Sequence, residues 1–594
     1  MRSWPLFALG VFCASSAVRA DDEVSIHVYS GDQLAALGAT NLASALGFVP
    51  DILVRTASDG VPEITLRGAR GGQLSVRVDG VDISEPYFES FDVTTIPILD
   101  IATIRVSSAP RAALDGQGGL AGAIDITTRD GCGSHLVIAR LVGDTSPGAS
   151  ASLLARESLS RTFGVRIAAG IGGASRELDA GDTSVHEMRR DANGSLRLEY
   201  RSGARRIALE GAIDDAHFLA PPFDASHVML VDEALSERGT GLYDDAFGKL
   251  TVHGTAFFTY SHLIERGFGD LALSDFEYSQ NLETLRTGAA GRANYPVLSW
   301  LGVSAAGSLS HDAGILSDQH GAYERGSATI LDGALGAHAV LGQVRIDGSA
   351  GVVGPGGTGA YPFPEATLGA TYHVLPQLDL AATGALKTRL PTLYERYDPT
   401  IGTAALAPER DAIADVRAIG HIDRVQIEVA PYYRRAWDGI ETVMGKYTNV
   451  TRETTLGVDA RGTVQIFEAL SVGGAYDFVH VKQLADSAND PVIDDPIDGA
   501  PRVRAQAWAT AAPLPGLALF ARISYASRSY DTYQAMDVIL PAYVVVDATA
   551  SYALSSSYAV ILRGEDLGNE RPETRATYHE PGRTLRLILQ GTWR

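Results

Sequence analysis

From residue 134 to the C-terminus, apolar and polar positions alternate with a period of two. In SLRLEYRSGARRIALEGAID, Leu196, Leu198 and Tyr200 alternate with Arg197, Glu199 and Arg201, and Ser202-Gly203 turns the chain. Ile207, Leu209, Gly211 and Ile213 then alternate with Ala208, Glu210 and Ala212. The direct reading is a hairpin with one greasy and one polar side. The pattern recurs in TVHGTAFFTYSHL, LGVSAAGSLS, VRIDGSAGVV, DRVQIEVAPYYRR, VRAQAWATA and LALFARISYASRSY. Before residue 130 the pattern differs. Ser30 is expected to cap a short helix over DQLAALG and Thr40 a second over NLASALG, whose Leu42 and Leu46 share a face. Gly38 and Gly47 close them. Brief strands are expected at 64–68 (ITLRG), 74–80 (LSVRVDG), 102–108 (ATIRVSS) and 123–129 (AIDITTR), with turns at Gly71-Gly72 and Asp79-Gly80. This is the outline of a small α+β domain.

Beyond the first twenty residues no window holds 18 apolar residues free of charge, which excludes ordinary transmembrane helices. Barrel strands need only about 9–11 residues each and escape that criterion. Two readings of the alternating region remain, a soluble set of β-sandwiches and a membrane barrel. Hairpins run on for about 460 residues without a Pro- and Gly-rich linker. Tyr295, Trp300, Tyr372, Tyr432, Tyr433, Trp437, Tyr525 and Tyr530 stand near expected strand ends, where membrane interfaces favour aromatic rings. Both features favour the barrel. At roughly 21 residues per strand and connection, the region supplies about 22 antiparallel strands. A lumen that wide leaks unless plugged, and the α+β domain ahead of it has a suitable size.

The opening MRSWPLFALGVFCASSAVRA has a basic residue, an apolar stretch and small residues before Ala20, the layout of a cleavable secretory signal. The expected division is a signal at 1–20, the α+β domain at 21–131 and the barrel at 132–594. Losing Arg2 and Arg19 makes the chain two units more acidic than its formal −22, a surface that repels nucleic acid. Cys13 lies in the signal, so Cys132 has no partner for an internal disulfide.

No catalytic or cofactor-binding constellation emerges. His186-Glu187 starts like a zinc-protease motif, but Arg190 stands where the second ligand belongs. The aspartate-rich stretch DSANDPVIDDPIDG at 486–499 does not match the calcium-loop spacing and reads as a solvated turn. DGQGGLAGAIDITTR at 115–129 concentrates glycine, including Gly118, Gly119 and Gly122, yet lacks the lysine and hydroxyl of a phosphate loop and runs into a strand. Ligand contacts are expected in long connections at 214–248, 310–328 (with His311, His320 and Tyr323) and 353–364.

Taken in order, EITLRGAR (63–70), VRVDGV (76–81) and IATIRVSSAPRAALDGQGGLAGAIDITT (101–128) resemble the plug of TonB-dependent outer-membrane receptors. KTRLPTLYERY (387–397) with Gly402 and LAPE (406–409), then YYRRAWDGIE, ILRGEDLGNE and PGRTLRLILQGTW, are similar to barrel segments of that family. The resemblance implies a 22-stranded transmembrane barrel occluded by an N-terminal plug, in the outer membrane of a Gram-negative bacterium. It implies a monomer in contact with outer-membrane lipid, neither enzyme nor carrier of a cofactor or metal of its own. Its ligand would be a scarce solute such as a ferric siderophore or a cobalamin-like chelate, imported with energy from the inner-membrane TonB, ExbB and ExbD complex. The alternative is a binding or structural barrel that has lost coupling.

Arg67-Gly68, Asp79-Gly80, Arg105, Gly118, Gly119 and Gly122 are the plug–barrel or structural candidates. Arg67 and Arg105 are expected either to pair with carboxylates of the barrel wall or to satisfy plug turns and luminal water. Asp79-Gly80 is expected to close a hairpin near the ligand-facing side. Three departures from the family pattern stand out. Only EVSIHV at 23–28 is available as a TonB-binding stretch, Ser107-Ser108-Ala109 replace the usual acidic residue, arginine and glycine, and the chain ends in Trp593-Arg594.

Overall fold

The computed structural model describes residues 26–594 except positions 58, 70, 117, 181, 182, 223, 225, 322, 357–361, 444, 485–499, 534 and 535. The expected signal, the aspartate-rich stretch and the centre of the 353–364 connection therefore lie outside the described residues. Twenty-two antiparallel strands, from Leu136–Asp144 to Thr584–Trp593, close into one barrel, the last strand pairing with the first through Trp593 and Val137.

The alternation read from the sequence sets which side each residue faces. Leu196, Leu198, Ile207, Leu209 and Ile213 point outward and exposed, whereas Arg197, Glu199, Ala208 and Asp214 are buried in the lumen. Leucines continue outward around the circumference, a surface intolerable in water but suited to hydrocarbon. Ten connections at one end are turns of two to four residues, such as Gly203-Ala204 and Gly342-Gln343. Both ends of the barrel sequence lie there, as do the outward rings of Tyr295, Trp300, Tyr372, Tyr558 and Trp593. Tyr432, expected in an interface belt, is instead buried and faces the lumen, because its neighbour Tyr433 takes the outward position.

At the opposite end the strands run on, the longest being Phe276–Leu298. The anticipated long connections shrink accordingly: strand pairing continues through most of 214–248 and 310–328, the strands ending at Leu219 and Asp318 and resuming at Val228 and Tyr323. Period-two patterning does not stop at the membrane boundary, so loop length was overestimated from the change in polarity alone.

Inside lies the plug. Its strands are β1 (Ile26–Ser30), β2 (Ile52–Thr56), β3 (Pro62–Leu66), β4 (Ser75–Val78), β5 (Val81–Asp82), β6 (Ile101–Ser107) and β7 (Ala123–Thr128), with helices α1 (Gly31–Ala36) and α2 (Leu42–Leu46). The main sheet has the order β1-β6-β7-β4-β5, with β4 and β7 parallel; β2 and β3 form a separate hairpin. Leu34, Leu42, Leu46, Ile104 and Ile124 build an apolar core that continues into the wall at Ile138, Leu154 and Phe520, and Phe48 packs edge-on against Phe520 at 5.7 Å.

Two caps differ from expectation. Ser30 precedes α1 but its hydroxyl makes no cap bond. At α2 the cap is Asn41, not Thr40: Asn41 Oδ1 accepts from Ser44 N at 3.0 Å, and Ser44 Oγ accepts from Asn41 N at 3.1 Å. Asn41→Ala is expected to cost about 1 kcal/mol, read as a lower unfolding midpoint of the purified receptor.

Candidate functional site

Two regions of the lumen carry the chemistry: the seam between plug and wall, and a vestibule above the plug at the long-strand end. At the seam, Arg67 and Gly68 form the two-residue link after β3, closed by Leu66 and Ala69. Both have positive φ, +54° and +80°, as a type I′ turn demands. Arginine at such a position costs about 1 kcal/mol or more, and its side chain is held from four directions. Nε donates to Asp459 at 2.7 Å, Nη2 reaches Asp415 at 2.8 Å, Nη1 donates to the Ser108 carbonyl at 2.6 Å, and the guanidinium lies 4.0 Å over the Tyr432 ring.

Asp79-Gly80 also adopts positive φ and closes the β4–β5 hairpin. It does not approach the ligand-facing side. Asp79 accepts from Thr128 N and Oγ1 and from Arg197 Nη1 at 2.8 Å, and a Cβ on Gly80 would stand 4.0 Å from His253 Nε2, close to the short-turn end. Arg105 lies on β6 opposite Asp125 of β7 and, among the described residues, makes no ion pair with the wall. Asp125 is taken by Arg111.

The glycine-rich stretch packs against the barrel. Gly116 O accepts from Lys387 Nζ at 3.1 Å, Asp115 meets Arg292 at 3.0 Å, and Ala113 N donates to Ser349 Oγ at 2.9 Å. Gly118 faces open space, Gly119 sits against the Arg111 stem, and Gly122 lies directly on β6 beside Ser107.

Sequence reasoning placed arginines on the plug and carboxylates on the wall. Arg67 follows that arrangement, but most pairs run the other way. The wall's Arg166, Arg189, Arg197 and Arg461 hold the plug's Asp100, Asp92, Asp79 and Asp51 at 2.6–3.0 Å. Arg504, Arg522 and Arg563 donate to the plug carbonyls of Pro50, Gly47 and Leu37. Such pairs are a weak source of net stability but a strong constraint on orientation. Arginine at an inward position of a barrel strand was the available signal.

The vestibule rests on the plug loop SEPYFESFD, residues 84–92. Glu85 builds the loop: its carboxylate accepts from Tyr87 N at 2.7 Å and Phe88 N at 2.5 Å, and Glu89 N donates to its carbonyl. Tyr87 is buried against Leu282 and Leu393, while Phe88 remains 39% exposed. The Phe88 ring lies 5.0 Å from Tyr87 and 4.7 Å from Tyr394, which in turn meets Tyr447 at 5.8 Å. Tyr394 comes from α3 (Leu393–Tyr397), whose capping box joins Thr392 to Glu395, with Glu395 also paired to Arg389. A cavity of about 220 Å³ opens beside the loop, lined by Pro86, Glu89, Phe363, Leu390, Leu393 and Leu406. Exposed aromatic faces beside a mainly apolar cavity that also carries Glu89, Asp312 and Arg396 suit a ligand of mixed polarity. This loop was not singled out from the sequence; its alternation of acids and aromatics without strand or helix period was the signal.

Burial pushes the Glu85 carboxyl from its ordinary 4.5 up to about 7 despite the amides that favour its charged form. The folded plug thus keeps a proton that the unfolded chain releases across this window. Stability from this group is greatest below 4.5 and is lost as pH rises through 7. Glu85→Gln is expected to flatten that slope in thermal midpoints measured across the window, and an unchanged slope would refute the assignment.

Comparison with known proteins fits this architecture. Residues 19–123 match the family described as TonB-dependent Receptor Plug Domain, and residues 186–565 that described as TonB dependent receptor-like, beta-barrel. No curated protein matches the chain. Among solved structures, the copper transporter OprC superposes with a TM-score of 0.83 at 13% identity, covering 96% of this chain and 99% of its own. A variant of the ferric enterobactin receptor PfeA of Pseudomonas aeruginosa gives 0.79 at 14% identity, covering 96% and 100%. The siderophore receptor PirA of Acinetobacter baumannii gives 0.78 at 13%, covering 96% and 98%. At such identities the likeness concerns the fold.

Proposed function

Because the chain belongs to the TonB-dependent receptors of the Gram-negative outer membrane, we propose that it imports a metal chelate of the ferric-siderophore class, with energy supplied by the TonB, ExbB and ExbD complex. The observation that carries this reading is the vestibule: a closed barrel blocked by its plug, with Phe88, Tyr394 and the cavity beside Glu89 presented at the long-strand, outward end. The ligand settles there, and the plug prevents its free diffusion. The similar structures, a copper transporter and receptors for ferric enterobactin and siderophores, support a metal-bearing cargo.

Coupling needs a segment of backbone that an inner-membrane partner can grasp. β1 is the edge strand of the plug sheet, so strand addition at this edge supplies a handle through main-chain bonds. The test is uptake of radiolabelled ferric chelates by iron-starved cells whose other receptors are deleted, with and without an uncoupler. Energy-dependent uptake that Val28→Pro in β1 abolishes while surface binding persists is the expected result. Uptake indifferent to the proton gradient and to Val28→Pro would favour the uncoupled barrel instead.

A further inference from the structure

The plug does not fill the lumen evenly. Beside the strands Leu136–Asp144, Gly148–Ser158 and Phe163–Ala180, a cavity of about 430 Å³ runs between plug and wall, the size of a small-molecule site. Its origin is the register. One inward row across these strands reads Val142, Ser150, Gly172, and the next row down reads Arg140, Ser152, Gly170. Small side chains here leave a gap that plug side chains do not enter. The cavity reaches Tyr578 and Glu580 at the outward end and stops at Arg140. Directly below, Ile138, Leu154 and Ala168 pair in register, all buried in the apolar cluster that includes the plug's Ile98 and Leu99. The passage is open above and sealed by hydrocarbon below.

Arg140 sits on that seal. It is 2% exposed and, among the described residues, has no carboxylate partner. Nη1 donates to Ala39 O at 2.8 Å and Nη2 to Ala35 O at 3.2 Å, while Nε has no partner. Arg504, Arg522 and Arg563 also donate to plug carbonyls, Arg563 at the end of α1 itself, but each is paired with a wall carboxylate (Asp477, Asp547 and Glu565). Arg140 grips the carbonyls at and just after the end of α1 without one, and α1 follows β1 without a break. Carbonyls offset a buried charge less well than a carboxylate, so this contact is the easier one to release.

We propose that this cavity is the ligand's route past the plug and that Arg140 is the latch on its floor. A pull on β1 withdraws α1, removes both carbonyls from the guanidinium, and parts Ile98 and Leu99 from the Ile138–Leu154–Ala168 row. Hydroxyls, Asn193, the freed guanidinium and charges of both signs (Arg189 and Arg586 with Asp191 and Glu580) then line the way, which fits a hydrophilic chelate rather than one with an acyl tail. The latch rests on the coupled reading above; the position of the route does not.

Cysteine accessibility in the full-length receptor, in the outer membrane of intact cells and with Cys132→Ser throughout, tests this. Ser150→Cys in the cavity is expected to react with a water-soluble methanethiosulfonate at rest. Ala168→Cys below the seal is expected to stay unreactive until Arg140→Ala is added, or until chelate uptake proceeds with the proton gradient intact. Arg140→Lys, which keeps the charge but loses the two-pronged grip, should give intermediate labelling, and heat-modifiable gel mobility verifies folding of each variant. Thr463→Cys is the control, 6% exposed and comparably deep on the far wall. Ala168→Cys that stays unreactive in folded Arg140→Ala receptor overturns the proposal, as does labelling that appears at Thr463 instead. Ala168→Cys exposed by Arg140→Ala in cells whose uptake ignores the gradient would keep the route and remove only the coupled reading.

Discussion

Replacing Arg197 with methionine is expected to cost the folded receptor about 3–5 kcal/mol, the largest single-residue effect on the plug–wall seam. Its side chain is fully buried, with Nη1 2.8 Å from Asp79 and 2.9 Å from Glu210, and Nε 3.5 Å from Glu199. Without it, Asp79 of the plug loses its guanidinium while Glu210 of the wall keeps only Arg166 at 3.1 Å, and a largely buried charge with its partner removed costs more than the pair contributed. Calorimetric unfolding of the purified receptor should show a lower midpoint. Adding Asp79→Asn should recover part of the loss, because the orphaned charge is then gone. The non-additivity in that double-mutant cycle measures the coupling directly. Single and double variants with the wild-type midpoint would show that the pair constrains nothing.

Gly122→Val is the second large effect, expected to destabilise the plug by about 2–5 kcal/mol. Gly122 has φ +140°, a region closed to branched side chains, and a Cβ there would lie 2.3 Å from Ser107 O and 2.7 Å from Leu66 Cδ2. β7 would have to leave β6, and the main plug sheet would open at its centre. Limited proteolysis should then cut the plug in receptor whose barrel still migrates as a folded species. Gly118→Ala, whose Cβ meets nothing within 4 Å, should show only the smaller cost of its positive φ. Equal protease resistance of Gly122→Val and wild type would refute the close-packing account.

These two positions show how unevenly the molecule could be read in advance. The glycine-rich stretch 115–122 announced a tight place in the chain, and its following strand announced packing. Nothing in the sequence said that Ser107 is the atom in the way, because β6 and β7 meet only after the sheet forms. Arg197 was visible as a polar position on a barrel strand, yet its partner on the plug is 118 residues away. The vestibule was less legible still. Phe88 and Tyr394 are 306 positions apart in the numbering and meet only because the plug loop and α3 are brought to the same rim. The assignment of Asp79-Gly80 to the ligand-facing side failed for the same reason: a hairpin's turn chemistry is local, but the end of the barrel it points to depends on how the whole plug is seated.

What the sequence alone determined is everything carried by short-range periodicity. An apolar row on alternate residues makes a strand, and a chain of such strands with no long apolar helix satisfies its backbone in lipid only as a closed barrel. Strand number followed from length, and the need for a plug from the resulting width. The tertiary structure decided the rest: which arginine holds which carboxylate, where the wall is too small for the plug to touch it, and where aromatic rings converge. Those outcomes rest on contacts such as Arg67 with Asp459, 392 residues apart. Their strength comes from burial, and burial exists only once the barrel has closed around the plug.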